Sequence, residues 1–307
     1  MRLFWLVGGL FLAMGTAGAG LPMLPVHETQ PILAKPNRLP ISVATWNLQW
    51  FPGNRPEATA GERVRHEREV VKMIRQLGVD LLLIQEVVDR EALVKITGDY
   101  PWKVVSNFSR AGDENPDLPV QNVAIVSRVP IRESWEVGFH VLPLTPDRPV
   151  RGFLGARLGT KKRGLVAYTV HLKSNRGGRE PSALRRERAM DYLKKDWEKR
   201  GLDPQKDRIL IGGDFNCSLR NSEFSLEKTI RGLCKDGWVS ATGNNSWPEM
   251  ATTKPDPAGK YPASDFDHIL LSPGWAKGVE GDRWKAEVLQ DSKVPSDHYP
   301  VILRLGE

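Results

Sequence analysis

Six short segments of the 307-residue chain place acidic, amide or imidazole side chains at the end of an apolar run. In one of them, RILIGGDFNCSL (Arg208–Leu219), the run ends at Asp214, and Asn216 follows two residues later. One ending of this kind would be an ordinary turn, because Asp and Asn are common turn residues. The polar residues beside the other five runs are Asn47 (ATWN), Glu86 (LLLIQE), His171 (AYTVH), Asp267 (DHILLS) and the pair Asp297 and His298 (SDHYPVIL). Their repetition indicates one shared site.

Side chains of these types suit the hydrolysis of phosphate esters. Glu and Asp are hard oxygen ligands for Mg²⁺, Mn²⁺ or Ca²⁺, and His transfers protons near neutral pH. The sequence contains no cluster of Cys and His with zinc spacing and no glycine loop of the Walker type. It also lacks a G-x-S-x-G motif, which argues against a serine hydrolase.

The elements that must position these residues mix strand–helix–strand units with β-hairpins. Ile41–Phe51 is rich in β-branched and aromatic residues and predicts a strand, and GTKKR predicts the turn of a hairpin. Residues 61–78 and 180–201 have apolar side chains at helical spacing. Two sheets packed face to face, with helices outside, accommodate this order in one domain.

The apolar spacing also predicts which helix residues face the core. His66 falls on the polar side of the first helix and is expected to be solvated. The predicted inner faces are Val64, Val70, Val71, Ile74 and Leu77 in the first helix and Leu184, Met190, Leu193 and Trp197 in the second.

The ordered set TWN, QE, VHL, GDFN, DHILLS and SDHYP resembles the endonuclease/exonuclease/phosphatase superfamily, the DNase I-like proteins. The resemblance extends from about Ile41 to Leu305, and the order of the motifs is more specific than any one of them. It implies an α/β fold that is a four-layer sandwich, with two mainly antiparallel or mixed β-sheets packed face to face and helices on the outside. It also implies a divalent-metal site, Mg²⁺ or else Mn²⁺ or Ca²⁺, where the sheets meet.

The same resemblance implies a role for each matching residue. Asn47 and Glu86 would hold the metal, and Asp297 would complete its shell directly or through water. Asp214 would orient or deprotonate the attacking water, and Asn216 would hold a phosphate oxygen.

The remaining roles concern the imidazoles and one arginine. His298, oriented by Asp267, would act as the general base or would stabilise the charge that develops on the phosphate. His171 would contact the phosphate or protonate the leaving oxygen. Arg151 matches a family arginine that reaches the phosphate, although a surface charge at a strand end is the alternative. Whether one or two ions bind stays open.

The charge around the VHL motif bears on the substrate. Residues 161–200 contain 13 Lys and Arg against 5 Asp and Glu, while the net charge of the whole chain is +7. Basic groups beside a phosphodiesterase centre suit a polyanion. We expect substrate contacts from Lys173, Asn175, Arg176 and Arg179, and a solvated helix face for Lys194, Lys195, Lys199 and Arg200.

These features favour a nonspecific nuclease that acts on DNA or RNA. A sphingomyelinase-like or other lipid or small-molecule phosphodiesterase is the main alternative, and a catalytically silent binding module is a second one. Trp247 and Tyr261 alone offer little apolar surface for membrane docking. Abasic-site nucleases usually carry Tyr at the position of His171, whereas DNase I-like and sphingomyelinase-like proteins carry His.

The N-terminus predicts export. Residues 1–20, MRLFWLVGGLFLAMGTAGAG, combine one Arg, an apolar run and small residues, which is typical of a signal peptide. An uncleaved membrane anchor is disfavoured by the short run and its glycines. We expect a signal peptide at 1–19, a Pro-rich leader at 20–40 and one catalytic domain at 41–307. The mature protein would be a secreted or periplasmic monomer without a stable membrane anchor.

The two cysteines of the chain, Cys217 and Cys234, are expected to form a disulfide, because exported proteins with an even number of Cys often do. Cys217 also follows GDFN at a position where DNase I-type proteins place a bridging cysteine. Two buried thiols are the alternative.

Overall fold

The computed structural model describes residues 42–108, 121–160, 164–277 and 284–305. The strands in these ranges are β1 (Ser42–Phe51), β2 (Leu81–Val87), β3 (Trp102–Val105), β4 (Asn122–Ser127), β5 (Ile131–Gly138), β6 (Gly152–Gly159), β7 (Gly164–His171), β8 (Ile209–Asp214), β9 (Val239–Ser240), β10 (Asp267–Leu271), β11 (Trp284–Val288) and β12 (Val301–Leu305). The α-helices are α1 (Ala60–Leu77), α2 (Arg90–Ile96), α3 (Arg179–Lys199), α4 (Lys228–Lys235) and α5 (Pro273–Ala276).

The strands form two six-stranded mixed sheets. The first has the order β11-β12-β1-β2-β4-β3 and the second the order β5-β6-β7-β8-β10-β9. β1 runs parallel to β2 and β7 runs parallel to β8, whereas the other neighbouring pairs are antiparallel. The residues expected to carry the chemistry therefore lie on or beside central strands of both sheets.

Three apolar cores separate four layers. The middle core joins the two sheets, with Val43 and Leu83 on one side and Leu154 and Ile269 on the other. A second core packs α1 and α2 on the first sheet, and a third packs α3 and α4 on the second sheet. This arrangement confirms the predicted sandwich of two face-to-face sheets with helices outside.

Helix α1 begins and ends where local chemistry favours it. Thr59 accepts a hydrogen bond from the Glu62 amide, and the Glu62 carboxylate accepts one from the Thr59 amide, which forms a capping box. Gly78 ends the helix in the left-handed conformation, with φ of 56°.

The inner faces of α1 and α3 differ from those predicted. Val64 and Leu184 are 65% and 57% exposed, so the assignment of these two residues to the core was wrong. The buried stripe of α1 begins at His66, and the buried stripe of α3 includes Ser182 and Arg186. Because polar residues occupy inner positions, apolar spacing alone misplaced the stripes.

His66 is 2% exposed, which corrects the expectation that it is solvated. Its Nδ1 accepts a hydrogen bond of 2.8 Å from the Gly53 amide, and its ring packs edge-on against Phe51. Burial lowers the pKa of His66 to about 4, and the Pro295 carbonyl offsets this only in part. The side chain therefore connects α1 to the loop after β1 in its neutral form.

We expect this histidine to make the fold sensitive to acid. Its pKa is lower in the folded chain than in the unfolded chain, so the unfolded state binds the extra proton between about pH 6.5 and pH 4. The free energy of unfolding should be highest above this window and should fall by up to about 3 kcal/mol as the pH drops through it. Denaturant unfolding at pH 7 and pH 5 measures the loss. The variant His66→Gln, whose amide oxygen can also accept from Gly53, should lose less, and an equal loss in both proteins would contradict the assignment.

The two cysteines do not form the expected disulfide. Cys217 is a buried free thiol and Cys234 is a half-buried one. Both contribute to the apolar core between the second sheet and helices α3 and α4, where they pack as small apolar side chains.

The predicted signal peptide and leader lie outside the described residues. No helix in the described part of the chain is long and apolar enough to cross a membrane.

Candidate active site

The GGDFN segment ends β8 at the point where the two sheets approach each other. A Cβ atom at Gly212 would lie 2.4 Å from the Leu83 side chain of the opposite sheet, and one at Gly213 would lie 2.0 Å from the Val170 carbonyl oxygen. Only glycine fits these two positions without displacing a neighbour. The two glycines therefore allow Asp214 to lie deep between the sheets, where it is 2% exposed.

Glu86 reaches the same place through a β-bulge. The pairing of β2 with β4 shifts between Gln85 and Val87, and Glu86 itself has a φ of 63°. A bulge re-aims a side chain, and left-handed backbone in a residue other than Gly costs about 1 kcal/mol. The Glu86 carboxylate is held by the Asn47 Nδ2 at 3.0 Å and by the Trp50 amide at 2.8 Å.

The Ser296–His298 segment is fastened to the end of β1. The Ser296 hydroxyl donates to the Asn47 carbonyl at 2.8 Å, and the Trp46 indole donates to the His298 carbonyl at 3.0 Å. The Asp297 amide donates to the Gln49 side chain at 3.0 Å. These contacts bring a segment from near the C-terminus to the site, and Asp297 remains exposed at its rim.

Asp267 begins β10 directly opposite Asp214 in the neighbouring strand. The Thr252 hydroxyl accepts a hydrogen bond from the Asp267 amide at 2.9 Å. The Asp267 Oδ2 lies 2.7 Å from the His298 Nδ1, so this carboxylate fixes the orientation of the imidazole. The His298 Nε2 therefore faces Asp214.

One oxygen, the Oδ2 of Asp214, is the centre of the arrangement. It accepts hydrogen bonds from the Nδ2 atoms of Asn47 and Asn216 at 3.1 and 3.0 Å. The His171 Nε2 lies 3.5 Å from it and the His298 Nε2 lies 4.0 Å from it. The His171 Nε2 is also 3.7 Å from the Glu86 carboxylate.

The electrostatic environment separates the titrating groups. Burial raises the pKa of Asp214 to about 7, although His298 opposes the shift. Burial by itself would lower the pKa of His298, but Asp267, Asp214 and Asp297 together raise it well above the usual value. Burial, with Arg151 and His298, lowers the pKa of His171 well below its usual value. The pKa values of the two imidazoles in this cleft are thus shifted in opposite directions, a separation that is typical of catalytic centres.

A sequence model of the endonuclease/exonuclease/phosphatase family matches residues 44–298. The chain belongs to this family. Members of the family are generally hydrolases that act on phosphodiester bonds. Among curated proteins, a sequence search found no match.

Solved structures of this family share the fold at low sequence identity. Sphingomyelinase C from Streptomyces griseocarneus is 19% identical, with a TM-score of 0.62 over 88% of this chain and 100% of that one. TDP2 from Caenorhabditis elegans, in a truncated form, is 18% identical, with a TM-score of 0.58 over 87% and 98%. The human nocturnin catalytic domain is 17% identical, with a TM-score of 0.57 over 91% and 96%.

Family members typically use divalent metals, and the acidic groups of this site fit such an ion. Glu86 and Asp214 are two buried carboxylates that share the Asn47 amide as a hydrogen-bond donor. Buried negative charges of this kind are costly unless a cation compensates them. Oxygen atoms of Asp214 and Asp267 and a nitrogen of His298 also lie within 4.8 Å of one another. The donor set is dominated by hard oxygen, as Mg²⁺, Mn²⁺ and Ca²⁺ prefer.

The expected metal ligands differ in how they are presented. Glu86 directs its carboxylate into the site, whereas the Asn47 oxygen already accepts the Gln49 amide at 2.9 Å. In this arrangement Asn47 orients Glu86 and Asp214 through its Nδ2, and its role as a ligand stays a prediction. The carboxylate of exposed Asp297 is available at the rim.

The expected substrate residues lie beside the end of β7. Arg151 donates to the Gln121 side chain and is close enough to His171 to lower its pKa, as noted above. The Lys173 Nζ donates to the Arg176 carbonyl at 2.8 Å. Asn175 uses its Oδ1 to accept from Arg186 and its Nδ2 to donate to the Asn216 carbonyl. The roles of these residues toward substrate remain predictions.

Three residues that support the site were not singled out from the sequence. Gln49 and Thr252 hold the backbone of Asp297 and Asp267, and Arg186 holds Asn175. Gln49 lies two residues after Asn47, and this closeness in sequence to a predicted site residue could have indicated its role. Thr252 lies in a polar stretch without any pattern.

Proposed function

We propose that this protein is an exported, divalent-metal-dependent phosphodiesterase that hydrolyses nucleic acids without sequence specificity. The observation that chiefly supports a catalytic role is the convergence of six polar side chains on the Oδ2 of Asp214 or on its immediate partners: Asn47, Glu86, His171, Asn216, Asp267 and His298. These side chains come from both sheets and from distant parts of the sequence. A binding module that retained only the fold would have no need of this constellation.

The residues divide the chemistry among themselves. Asp214, at the centre, orients or deprotonates the attacking water. Asn216 holds Asp214 through its Nδ2, which also donates to the Leu172 carbonyl, so its predicted contact with a phosphate oxygen requires the exchange of one of these two hydrogen bonds. His298, fixed by Asp267, balances the negative charge that develops as the water attacks. His171, which lies beside Asp214 at the end of the neighbouring strand β7, contacts the phosphate or protonates the leaving oxygen.

Glu86 would be the main protein ligand of the metal, with Asp297 and Asn47 completing the protein side of the shell. When bound, a divalent cation would offset charge on the phosphate oxygens and on the leaving group. Mg²⁺ is the ion we propose, with Mn²⁺ or Ca²⁺ as substitutes.

The choice of nucleic acid is supported by basic residues beside β7. Several cations of α3 have partners: Arg179 pairs with Glu223, and Lys194 pairs with Asp236. Lys173, Arg176 and Arg185 line a cavity of about 140 Å³ near the N-terminus of α3, where Lys173 donates to the Arg176 carbonyl and Arg185 to the Pro146 carbonyl. Cations that follow His171 so closely along the chain suit the phosphates next to the scissile one.

A parallel assay distinguishes the candidate functions. The mature protein is incubated with supercoiled DNA, with RNA and with sphingomyelin vesicles, each with Mg²⁺ and with a chelator. We expect cleavage of DNA or RNA that the chelator abolishes. Cleavage of sphingomyelin alone would favour the lipid phosphodiesterase, and Mg²⁺ binding without any turnover would favour a binding module.

Binding of a single-stranded oligonucleotide should weaken steeply with salt. Three phosphate contacts predict a loss of affinity of roughly 20-fold between 50 and 200 mM salt. Fluorescence anisotropy with the His298→Ala variant, which should not cleave the probe, measures this dependence. Arg176→Gln should reduce the salt dependence by about one phosphate contact, whereas Lys194→Gln, on the outer face of the same region, should leave it unchanged. A salt-independent affinity would contradict the nucleic-acid proposal.

Export is proposed from the N-terminal sequence. If residues 1–19 are removed on secretion, the protein recovered outside the cytoplasm should have the mass of a chain that begins at Gly20. Retention of the N-terminal segment in that protein would overturn the cleavage site.

A further inference from the structure

Arg186 is a fully buried cation on the inner face of α3, with no exposed surface. Its Nε and Nη2 donate to the two carboxylate oxygens of Glu227, both at 2.7 Å. The Thr229 hydroxyl donates to the same carboxylate at 2.6 Å. Replacing a buried ion pair by apolar residues is often neutral or stabilising, so stability alone is a weak reason for this pair.

The third nitrogen of the guanidinium faces the loop after β7. Nη1 donates to the Lys173 carbonyl at 2.7 Å and to the Asn175 Oδ1 at 3.0 Å. The Glu227 carboxylate fixes the plane of the guanidinium, so Nη1 has one direction available. The buried pair thus ties α3 and the N-terminal end of α4 to a loop that leads directly from His171.

The loop passes this constraint to the catalytic centre. The Asn175 Nδ2 donates to the Asn216 carbonyl at 3.4 Å. The Asn216 Nδ2 donates to the Leu172 carbonyl at 3.2 Å and to the Asp214 Oδ2 at 3.0 Å. A continuous series of hydrogen bonds therefore runs from Arg186 through Asn175 and Asn216 to Asp214.

We propose that Arg186 is a positioning residue for the reaction: through Asn175 it holds the loop after β7 against Asn216, and so fixes His171 and Asn216 relative to Asp214. The inference rests on the proposed phosphodiesterase activity but not on the choice of nucleic acid as substrate. The proposal also assigns Asn175 a structural role, because both its Oδ1 and its Nδ2 form hydrogen bonds within the protein.

The geometry of the guanidinium explains why lysine cannot replace it. Arg186 binds both Glu227 oxygens and two loop acceptors with donors in one plane, whereas an ammonium is a point charge without this fork. Displacement of a catalytic group by about 1 Å can cost about 100-fold in rate. We expect Arg186→Lys to lower kcat by about 10- to 100-fold with a smaller change in KM.

The substrate for the test is bis(p-nitrophenyl) phosphate with saturating Mg²⁺, which reports turnover whether or not the protein acts on nucleic acids. Arg200→Lys is the matched control. Arg200 ends α3, far from the loop after β7, and its side chain is only 8% exposed, which corrects the expectation that it is solvated. Its Nε lies 3.0 Å from both Asp196 oxygens. It should lower the unfolding midpoint and leave kcat unchanged.

Asn175→Ala keeps the test valid if Arg186→Lys does not fold, because Asn175 is only half-buried and lies on a loop. This variant should lower kcat to a similar extent without a large loss of stability. The double variant should be no slower than the slower single variant, since both changes break the same connection.

Unchanged kcat in Asn175→Ala, or in folded Arg186→Lys, would overturn the proposal, as would multiplication of the two effects in the double variant. A wild-type protein that turns over no phosphodiester at all would instead overturn the proposed function. The two failures are therefore distinct.

Discussion

Replacing His298 by Ala should lower the turnover of a phosphodiester by at least about 100-fold. The His298 imidazole is oriented by Asp267 at 2.7 Å, and its Nε2 faces the Asp214 Oδ2 at 4.0 Å. The variant removes the imidazole that Asp267 directs toward the buried Asp214 carboxylate, and His171 does not replace it because His171 has no contact with Asp267 among those that orient His298. Steady-state kinetics with bis(p-nitrophenyl) phosphate and Mg²⁺ measures the effect.

Two controls separate a loss of chemistry from a loss of structure. The near-ultraviolet circular dichroism of His298→Ala should match that of the wild type, because the imidazole contacts the carboxylates of Asp267 and Asp214 and belongs to none of the three apolar cores. Added imidazole should restore part of the activity by entering the space that the variant leaves. Turnover close to wild type would remove His298 from the mechanism.

Replacing Glu86 by Gln should abolish productive metal binding. The carboxylate accepts from Asn47 and from the Trp50 amide, so Gln can occupy the same space with half of the acceptor set and no charge. Loss of a residue that only orients a metal ligand typically lowers metal affinity by about 10- to 100-fold. For the main ligand we expect more than about 100-fold, with a parallel loss of turnover at a fixed Mg²⁺ concentration.

Glu136→Gln is the matched control for this change. Glu136 is a 4% exposed glutamate on β5 of the second sheet, and its carboxylate accepts from the Asn107 amide at 2.7 Å. Burial raises the pKa of Glu136, so a neutral amide should be well tolerated there. Calorimetric titration with Mg²⁺ and Mn²⁺ should show weak binding only in Glu86→Gln. Equal affinities in both variants would exclude Glu86 as the main ligand.

The fold and the centre of the site could be predicted from sequence because both depend on simple regularities. Apolar strands must end in polar residues, and here the ends of central strands carry the catalytic types. The order of these endings along the chain carried the resemblance to the family. Asp214, Glu86 and His298 were therefore predicted as members of one site, and the structure places them together.

Other features were hidden because a polar residue on a buried stripe has the same sequence pattern as a polar residue on a solvated one. His66 and Arg186 occupy inner positions of α1 and α3, and their partners are distant in sequence. Gly53 lies in a loop, and Glu227 precedes α4, a helix that apolar spacing did not reveal. The absence of the disulfide could not be predicted either, because the number of cysteines carries no information on the distance between them.

The order in which the site residues occur along the chain has a consequence for biosynthesis. Asn47 and Glu86 are made first, whereas Asp267 is made late and His298 is made more than 200 residues after Glu86. Strand β12, which pairs with β1 in the middle of the first sheet, follows His298. A ribosome-bound chain can therefore complete neither the first sheet nor the catalytic centre until β12 has left the exit tunnel. A hydrolase built in this order stays inactive during its own translation, because the growing chain holds Asn47 and Glu86 long before it holds His298.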